Sequence, residues 1–259
     1  MVRCSAARKL VSILPSVVNK VELLDLGGDL VVRKSYGSNA RMTGIRLPLR
    51  RAVVERRVIE LLATAPYQKF SSVRTPRLHS AETSKTETML VYIEGHPLRG
   101  EATLRWPKPE IFEEIGRFIR SVECSELFSV RSIFSGLGDI EARSRKILLR
   151  YKIGYELPVF RGDAVLALGD VGLKNILYDD RAVTLIDFEF ARREAPGFDV
   201  GQLSAELLSL ELGQDISKSF REALATGYGK RDGVDAMARR WTELFLPYYN
   251  NKPAVRSYS

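Results

Sequence analysis

The stretch LGDVGLKNILYDDRAVTLIDFEFA, residues 168–191, decides the fold. It places Asp170, Asn175 and Asp187 at intervals of five and twelve residues, with short apolar runs between them. The runs NILY and TLIDF are typical of strands, because β-branched and aromatic residues lie between turn-forming residues. A turn after Asp170 returns the chain to Asn175, and the strand pair carries Asp187 back. We therefore expect these three side chains to converge on one cavity.

Two carboxylates and one amide in this arrangement suit phosphoryl transfer from ATP. That reaction needs a group that orients the attacking hydroxyl and accepts its proton, and hard oxygen ligands that hold Mg²⁺ against the triphosphate. Asp170 is the candidate for the first task, and Asn175 and Asp187 are the candidate metal ligands. The plain alternative is that these residues only form turns and cap loops.

The segment from residue 168 to 203, which continues through ARREAPGFDVGQL, resembles the catalytic and metal-binding segment of the aminoglycoside phosphotransferase and choline kinase-like superfamily. The resemblance implies that Asp170 is the catalytic aspartate and that Asn175 and Asp187 bind the metal. It also implies that Asp199 supports the catalytic loop, although a helix N-cap is an equal alternative for this residue.

Leu168 departs from the superfamily pattern, which has a histidine two residues before the catalytic aspartate. The family's histidine mainly supports the loop, so a leucine keeps the packing and loses a hydrogen bond. The departure leaves two alternatives open, an enzyme of reduced activity or a protein that binds nucleotide without transfer. Glu189 stands where protein kinases carry a glycine, which argues against a flip of this loop.

On the nucleotide side, the resemblance implies a cation for the α and β phosphates and a helix carboxylate that holds this cation. The segment LVVRKSYG resembles the third strand, and strand alternation lets either Arg33 or Lys34 face the cleft, but not both. We expect Arg33 to face it. Glu55, within the helix AVVERRVIELL, is the matching acid, and its alternative is a surface ion pair with a neighbouring arginine.

The segment MLVYIEGHPL, residues 89–98, resembles the connection between the lobes in this superfamily. We expect the backbone of Val91, Tyr92 and Ile93 to meet the edge of adenine, which is compatible with an ordinary buried strand. A glycine-rich phosphate loop is not evident, because the only two glycines between residues 10 and 30 are adjacent. Ser16 and Asn19, within SVVNK, are weak candidates to cover the phosphates.

The order of patterns predicts two lobes. The first 95 residues contain a strand pair around GGD, an amphipathic helix at 49–63 and two further strands at 75–95. Later segments read as helices, at 107–123, 139–152 and beyond Asp199. The fold class is therefore α+β, with a small antiparallel-sheet N-lobe containing one helix and a larger, mainly helical C-lobe, and the resemblance implies that this two-lobed fold is protein-kinase-like. We place a nucleotide-binding lobe at residues 1–93 and a catalytic and acceptor-binding lobe at 94–259.

Charge and composition restrict the possible partners. The net charge is +8, and residues 1–95 hold 16 Lys and Arg against 8 Asp and Glu, while the rest holds 24 of each. The basic N-lobe therefore leaves a protein or RNA partner open. The two cysteines and two histidines form no zinc pattern, and no apolar run approaches the ~20 residues of a membrane span. We expect a cytoplasmic protein without membrane contact.

The resulting expectation is a kinase that uses ATP and Mg²⁺ to phosphorylate a hydroxyl of a small molecule. The acceptor would meet residues 151–163 and the C-terminal helices, where Trp241, Phe245 and Tyr249 form either core or an aromatic cage. Two alternatives remain. The basic N-lobe is loosely similar to the small kinases of the tRNA threonylcarbamoyl-modifying machinery, which would imply an atypical protein kinase or ATPase, and Leu168 leaves a nucleotide-binding pseudokinase open.

Overall fold

The structure, a computed structural model, describes residues 9–14, 16, 19–37, 51–79, 86–99, 106–125, 164–210, 212, 214–229 and 234–250. These residues form a mixed α+β fold, as expected. The expected helix at 139–152 and the expected acceptor-lining segment at 151–163 lie outside the described part of the chain.

The strands and helices are numbered in chain order. The strands are β1 (Lys9–Leu14), β2 (Lys20–Asp25), β3 (Leu30–Ser35), β4 (Val73–Arg74), β5 (Glu87–Val91), β6 (His96–Pro97), β7 (Val165–Ala167), β8 (Ile176–Tyr178), β9 (Val183–Leu185) and β10 (Arg192–Glu194). The helices are α1 (Arg51–Leu62), α2 (Ala65–Gln68), α3 (Pro109–Glu123), α4 (Phe198–Ser209), α5 (Gln214–Tyr228) and α6 (Val234–Asn250).

An antiparallel sheet in the order β1-β2-β3-β5 forms the small lobe. The expected hairpin of β2 and β3 is present, and Gly27 and Gly28 adopt positive φ angles of 74° and 103° in its turn, where a side chain would be strained. The hairpin register places Glu22 opposite Arg33 and Val21 opposite Lys34. Strand β1, which the sequence pattern did not predict, pairs with β2 and forms one edge of this sheet.

Helix α1 packs between the small sheet and a short 3₁₀ turn, Phe188–Phe190, of the large lobe. Its apolar residues Val54, Val58 and Leu62 lie in the main core, at the spacing of one helix face. Arg51 and Glu55 are also buried, although charged residues are seldom buried without partners. The helix therefore delivers two charged side chains to the interior, one turn apart.

Two small sheets of the large lobe position the loops of the cleft. Strands β7 and β10 pair antiparallel, with Ala167 opposite Arg192, so the start of one loop lies beside the end of the other. The second sheet has the order β4-β9-β8-β6. In it, β4 pairs parallel with β9, so a segment from the first 93 residues is part of a large-lobe sheet. The proposed boundary at residues 93 and 94 is therefore crossed by strand pairing.

Helices α3 and α5 form the centre of the large lobe and approach each other closely. A Cβ atom on Gly116 would collide with the carbonyl of Leu224, and one on Gly227 with the carbonyl of Glu113. Trp241 of α6 packs in a separate apolar cluster with Phe198, which agrees with the core alternative for this residue. Among the described residues, no helix combines the length and the apolar character that a membrane span needs.

Candidate active site

Asp199 fixes the loop that follows β7. It is the second residue of α4 and is fully buried, and its carboxylate accepts hydrogen bonds from the backbone N–H groups of Leu168 (2.6 Å) and Gly169 (2.9 Å). Burial raises the pKa of Asp199 from 3.8 to about 6, against the opposing effect of these two N–H groups. Gly197 occupies the N-cap position, so the N-cap alternative for Asp199 is wrong.

Two neighbouring residues make this loop compact. Leu168 is fully buried in the main core, so the side chain that replaces the family's histidine contributes packing. Gly169 has a φ of 90°, and a Cβ atom there would collide with the carbonyl of Phe190. The loop therefore needs a glycine here, both for its backbone conformation and for the close approach of the backbone of residues 186–191, which we name the metal loop after the candidate ligand Asp187.

Asp170 is held by partners on both carboxylate oxygens. Its Oδ1 accepts a hydrogen bond from Nε2 of Gln202 (3.1 Å), and its Oδ2 lies 2.9 Å from Nζ of Lys174. The backbone oxygen of Asp170 accepts a hydrogen bond from Nδ2 of Asn175 at 2.9 Å. The expected five-residue return of the chain is therefore present, and the side-chain oxygen of Asn175 is turned away from the Asp170 carbonyl.

Asp187 lies beside Asn175 through the pairing of β8 with β9. The N–H of Ile186 donates to the backbone oxygen of Asn175 at 2.9 Å, which places the next residue, Asp187, at the same edge. Asp187 has a φ of 69°, a left-handed conformation that is uncommon outside glycine and concentrates at functional sites. The structure thus places Asn175 between Asp170 and the residue next to Asp187, through one hydrogen bond to each side.

Lys34 is the cation that contacts Asp187 from the small lobe. Its Nζ bonds to Oδ1 of Asp187 and lies 3.1 Å from Oε2 of Glu55 and 3.4 Å from Oε2 of Glu189. Burial disfavours the ammonium, but the attraction of the three carboxylates outweighs it and raises the pKa of Lys34. The preference for Arg33 is wrong, because its guanidinium pairs with Glu22 across the hairpin at 2.7 Å, on the other face of the sheet.

Glu55 is buried on α1 and holds Lys34, as the resemblance implied. It also accepts a hydrogen bond from the hydroxyl of Tyr36. Burial, with help from the negative charges of Asp187 and Glu189 and against the effect of Lys34, raises the pKa of Glu55 from 4.5 to about 7. The alternative of a surface ion pair is wrong, because Glu55 is only 1% exposed.

The sequence did not reveal a buried cluster behind Lys34. Glu189 accepts hydrogen bonds from the guanidinium of Arg51 (2.9 Å) and from Nδ2 of Asn19 (2.7 Å). Burial and the charge of Asp187 raise the pKa of Glu189, while Lys34 and Arg51 oppose this shift. The only signal in the sequence was the spacing of Arg51 and Glu55, which are four residues apart and therefore lie on one face of α1.

Helix α4 carries a polar stripe that the sequence reading also missed in part. Asp199, Gln202 and Glu206 have the i, i+3, i+7 spacing of one helix face. Glu206 is buried, and its carboxylate accepts hydrogen bonds from the N–H of Leu173 (2.7 Å) and from Arg99. The three side chains hold the loop after β7 at its start, its middle and its end. Polar residues on one face of a mostly apolar helix were a signal in the sequence that could have indicated this contact.

The expected adenine segment contributes fewer donors than its length suggests. The N–H of Val91 donates to the carbonyl of Arg77 (2.9 Å), and that of Tyr92 donates to the carbonyl of Leu30 (3.0 Å). Both groups are therefore committed to the small lobe. The adenine contact stays a prediction, and it falls to Ile93 and to the carbonyl groups of this segment.

Oxygen donors suited to Mg²⁺ meet beside Lys34. Among the described residues, ligand atoms of Glu55, Asp187 and Glu189 lie within 4.8 Å of one another. Glu55 and Glu189 are buried and already paired, whereas the side chain of Asp187 is 25% exposed. Asp187 is therefore the best placed of the three for a divalent cation, which prefers carboxylate and amide oxygens, and Asn175 stays the predicted amide ligand.

Comparisons with known proteins agree with this geometry. Residues 136–240, about two fifths of the chain, match the model of the phosphotransferase enzyme family. No curated protein sequence matches the chain.

The similar solved structures are phosphotransferases and kinases. The macrolide 2′-phosphotransferase MphH from Brachybacterium faecium is 16% identical, with a TM-score of 0.56 over 94% of this chain and 84% of that one. Amicoumacin kinase hAmiN, in complex with AMP-PNP, Ca²⁺ and Ami, is 16% identical, with a TM-score of 0.60 over 92% and 79%. An ethanolamine kinase from Plasmodium vivax is 11% identical, with a TM-score of 0.57 over 96% and 76%.

These likenesses extend over more than nine tenths of the chain and show the fold, which is that of the protein-kinase-like phosphotransferases. The family match includes the segment with Asp170, Asn175 and Asp187. Together they confirm the expected resemblance to the aminoglycoside phosphotransferase and choline kinase-like superfamily.

Proposed function

We propose that this protein transfers the γ-phosphoryl group of ATP, with Mg²⁺, to a hydroxyl of a small molecule. The observation that carries the proposal is a continuous series of contacts that runs from Asp170 through Asn175 to Asp187, and from Asp187 to Lys34 and Glu55 of the small lobe. The family match over the same loops and the kinase fold support this activity.

Asp170 is proposed to orient the acceptor hydroxyl and to accept its proton. Its carboxylate is held in one orientation by Gln202 and Lys174, which satisfies the positional demand of phosphoryl transfer. Lys174 also lowers the negative charge that the phosphates meet at this point. Asp199 and Leu168 support the loop, the first by hydrogen bonds and the second by packing.

Asn175 and Asp187 would hold Mg²⁺ through their side-chain oxygens. When bound, Mg²⁺ neutralises charge on the phosphate oxygens during transfer. Lys34 is proposed to bind the α and β phosphates, and Glu55 positions its ammonium for this contact. Val32 and Val21 lie on the same face of the sheet as Lys34, where they suit the adenine ring.

The two lobes are assigned accordingly. Residues 1–93 are proposed to bind the nucleotide, together with the backbone of Val91, Tyr92 and Ile93, and residues 94–259 to bind the acceptor and perform catalysis. The named substrates of the similar structures are a macrolide, amicoumacin and ethanolamine, which makes these classes the first acceptors to test. Trp241 packs on Phe198 in the core, which argues against its use in a cage for a quaternary amine.

Two observations bear on the alternatives. The backbone N–H groups of Leu168 and Gly169 are fixed by Asp199, so the loop keeps its shape without the family's histidine, which favours transfer over a pseudokinase. The tRNA-modifying alternative predicts a stable protein or RNA partner for the basic N-lobe, which co-purification of the full chain detects.

The test is phosphoryl transfer from labelled ATP and Mg²⁺ to a panel of macrolides, aminoglycosides, amino alcohols and sugars. The wild type should label one acceptor class, and Asp170→Asn should lower kcat by at least about a thousandfold, since the proton acceptor is lost. Asp180→Asn, a matched change at the exposed β8–β9 turn, should leave kcat unchanged. Equal turnover by wild type and Asp170→Asn would remove the catalytic assignment.

A further inference from the structure

Two residues from outside the catalytic segment contact the polar stripe of α4, and the proposed function uses neither of them. Arg99 comes shortly after β6, where the N–H of Leu98 donates to the carbonyl of Ile176 at 3.0 Å, so Arg99 lies beside the end of the loop after β7. Tyr249 lies near the end of α6. Tyr249 is buried and the side chain of Arg99 is only 17% exposed. Both polar groups therefore need partners inside the large lobe.

Helix α6 can approach α4 closely because Gly201 has no side chain. A Cβ atom there would lie 2.4 Å from Cβ of Trp241 and 2.7 Å from the carbonyl oxygen of Ala238. Tyr249 follows Trp241 by eight residues, about two helical turns, so the two side chains lie on the same face of α6. This close packing brings Tyr249 to Gln202, the neighbour of Gly201.

The amide of Gln202 joins Tyr249 to Asp170. Its Nε2 donates to Oδ1 of Asp170 and to the hydroxyl oxygen of Tyr249, both at 3.1 Å. An amide turned by 180° would bring Oε1 against the carboxylate of Asp170, and two acceptors repel each other. Within the described part of the chain Oε1 has no hydrogen-bond partner, so the two N–H groups set the direction of this amide. Loss of the tyrosine hydroxyl would leave one N–H of the buried amide without its acceptor.

The carboxylate of Glu206 joins Arg99 to the other end of the loop. Its Oε2 accepts a hydrogen bond from the N–H of Leu173 at 2.7 Å, and its Oε1 accepts from the guanidinium of Arg99. Glu206 is fully buried, and a buried carboxylate is costly unless it is paired. A Cβ atom on Gly172 would lie 2.8 Å from Oε2, so the carboxylate lies directly against the loop backbone. Loss of Arg99 should therefore weaken the hold of Glu206 on Leu173.

A contact between Arg99 and Tyr249 closes these interactions into a ring. Cζ of Arg99 lies 5.7 Å from the ring centroid of Tyr249, a distance typical of a cation–π interaction. The contact ring consists of Asp170, Gln202, Tyr249, Arg99, Glu206 and Leu173, with the loop backbone between its two ends. The other carboxylate oxygen of Asp170 is held by Lys174, whose side chain is 49% exposed and therefore less constrained. The contact ring is thus the firmer support of Asp170.

We propose that Arg99 and Tyr249 are positioning residues for Asp170. Through Gln202 and Glu206 they fix the direction of its carboxylate and the loop that carries it. The catalytic part of this proposal rests on the proposed function, whereas the contact ring itself does not.

The first test is residue-resolved amide hydrogen exchange of the full chain without nucleotide or acceptor. In Arg99→Met, Glu206 loses its cation, so the N–H of Leu173 should exchange about tenfold faster. The N–H groups of Leu168 and Gly169, which Asp199 holds, should change less than about twofold. Arg99→Lys keeps a cation and should stay within about threefold of wild type. Unchanged exchange at Leu173 in Arg99→Met would overturn the role of Arg99.

The second test uses Tyr249→Phe, which removes one oxygen atom and is expected to fold. With the acceptor class that the panel labels, kcat should fall about fivefold and the KM for ATP should change less than about twofold, because the lost bond acts on Asp170 and not on the nucleotide side. In Gln202→Leu the hydroxyl has no amide to hold, so adding Tyr249→Phe should lower kcat by less than about twofold more. Losses that multiply in the double variant would overturn the connection through Gln202.

Two controls separate the contact ring from general effects. Arg74→Met removes a partly exposed ion pair with Asp179 at 2.7 Å, and Arg239→Gln changes an exposed residue of α6. Both should leave exchange at Leu173 and kcat within about twofold of wild type. Equal acceleration at Leu173 in Arg74→Met and Arg99→Met would overturn the specific role of Arg99.

Failure of the proposed function is distinguishable from failure of the contact ring. A wild type that transfers no phosphoryl group to any acceptor would overturn the proposed function and the catalytic part of this proposal with it. The exchange at Leu173 would still decide whether the contact ring exists, because it is measured without nucleotide.

Discussion

The two sides of the cleft are held by different forces. On the proposed catalytic side, helix α4 of the large lobe supports the loop after β7. The carboxylates of Asp199 and Glu206 accept hydrogen bonds from backbone N–H groups at the two ends of this loop. On the nucleotide side, charged side chains from β3, α1 and the metal loop meet across the lobes. The first arrangement depends on shape and backbone hydrogen bonds. The second depends on charge balance, and it should respond far more to the loss of a charge.

Lys34→Met tests the nucleotide side with a change that keeps most of the shape. It removes the only described cation that contacts Glu55, Asp187 and Glu189 together, and leaves these three acids, two of them buried, to repel one another. We expect kcat/KM for ATP to fall about a thousandfold, the scale of breaking a buried charge pair. Steady-state kinetics with ATP as the varied substrate measures this effect.

Arg33→Met is the matched control for this change. Arg33 is the next residue on the same strand, and it pairs with Glu22 on the opposite face of the sheet. Its loss should change kcat/KM by less than about threefold, since partly exposed pairs contribute little. Equal damage from the two variants would contradict the assignment of Lys34 to the phosphates.

Asp199→Asn tests the catalytic side through its pH dependence. The pKa of Asp199 is raised from 3.8 to about 6 in the folded state, so the folded protein binds this proton more tightly than the unfolded chain. This group's contribution therefore favours folding at pH 4 and is lost as the pH rises to about 6, by up to roughly 3 kcal/mol.

Chemical denaturation between pH 4 and 7 measures this effect. The free energy of unfolding of the wild type should decline with pH more steeply than that of Asp199→Asn, which cannot titrate. Parallel curves for the two proteins would mean that Asp199 does not carry the shifted proton.

Gln202→Leu gives the smallest expected effect. It removes the hydrogen bond to Oδ1 of Asp170 while keeping a similar volume, and Lys174 still holds the other oxygen. It also removes a hydrogen bond from Nε2 to the hydroxyl of Tyr249 at 3.1 Å. We expect kcat to fall about tenfold with the KM for ATP unchanged, because neither lost hydrogen bond involves a residue of the nucleotide side. Ser204→Ala, off the polar stripe of α4, is the control. A rise in KM for ATP would place Gln202 on the nucleotide side instead.

The catalytic side could be predicted from sequence because its parts are close in the chain. Asp170 and Asn175 are joined by one short turn, and Asp187 returns by one strand pair, so local patterns specify their meeting. Asp199 followed from the resemblance. The role of Glu206, by contrast, could not be predicted in this way. Its position on the same face of α4 as Asp199 becomes informative only when the position of the loop is known.

The prediction that Arg33 and not Lys34 faces the cleft was wrong, although the sequence contains the information for the correct choice. Strand alternation allows only one of the two residues to face the cleft, but it does not decide which one. The glycine turn of the hairpin sets a register in which Glu22 lies opposite Arg33, and opposite charges on facing strand positions pair. That pairing assigns Arg33 to the outer face and Lys34 to the cleft.

The buried cluster of Asn19, Arg51 and Glu189 could not be predicted, because its members are distant in sequence. Asn19 and Glu189 are 170 residues apart, and nothing local marks either as a partner of the other. Buried ion pairs between elements depend on the final packing of lobes, which periodicity does not encode. Burial of Arg51 on α1 was the nearest clue, since an arginine on an apolar face demands a counter-ion.

The pairing of β4 with β9 bears on how such proteins can be recombined. Residues 73 and 74 come early in the chain, yet they supply an edge of the sheet that carries the metal loop, and the N–H of Val183 donates to the carbonyl of Ser72. A chimaera joined at residue 94 would bring a foreign strand to that edge. Exchange of nucleotide specificity between relatives should therefore keep this short segment with its own large lobe.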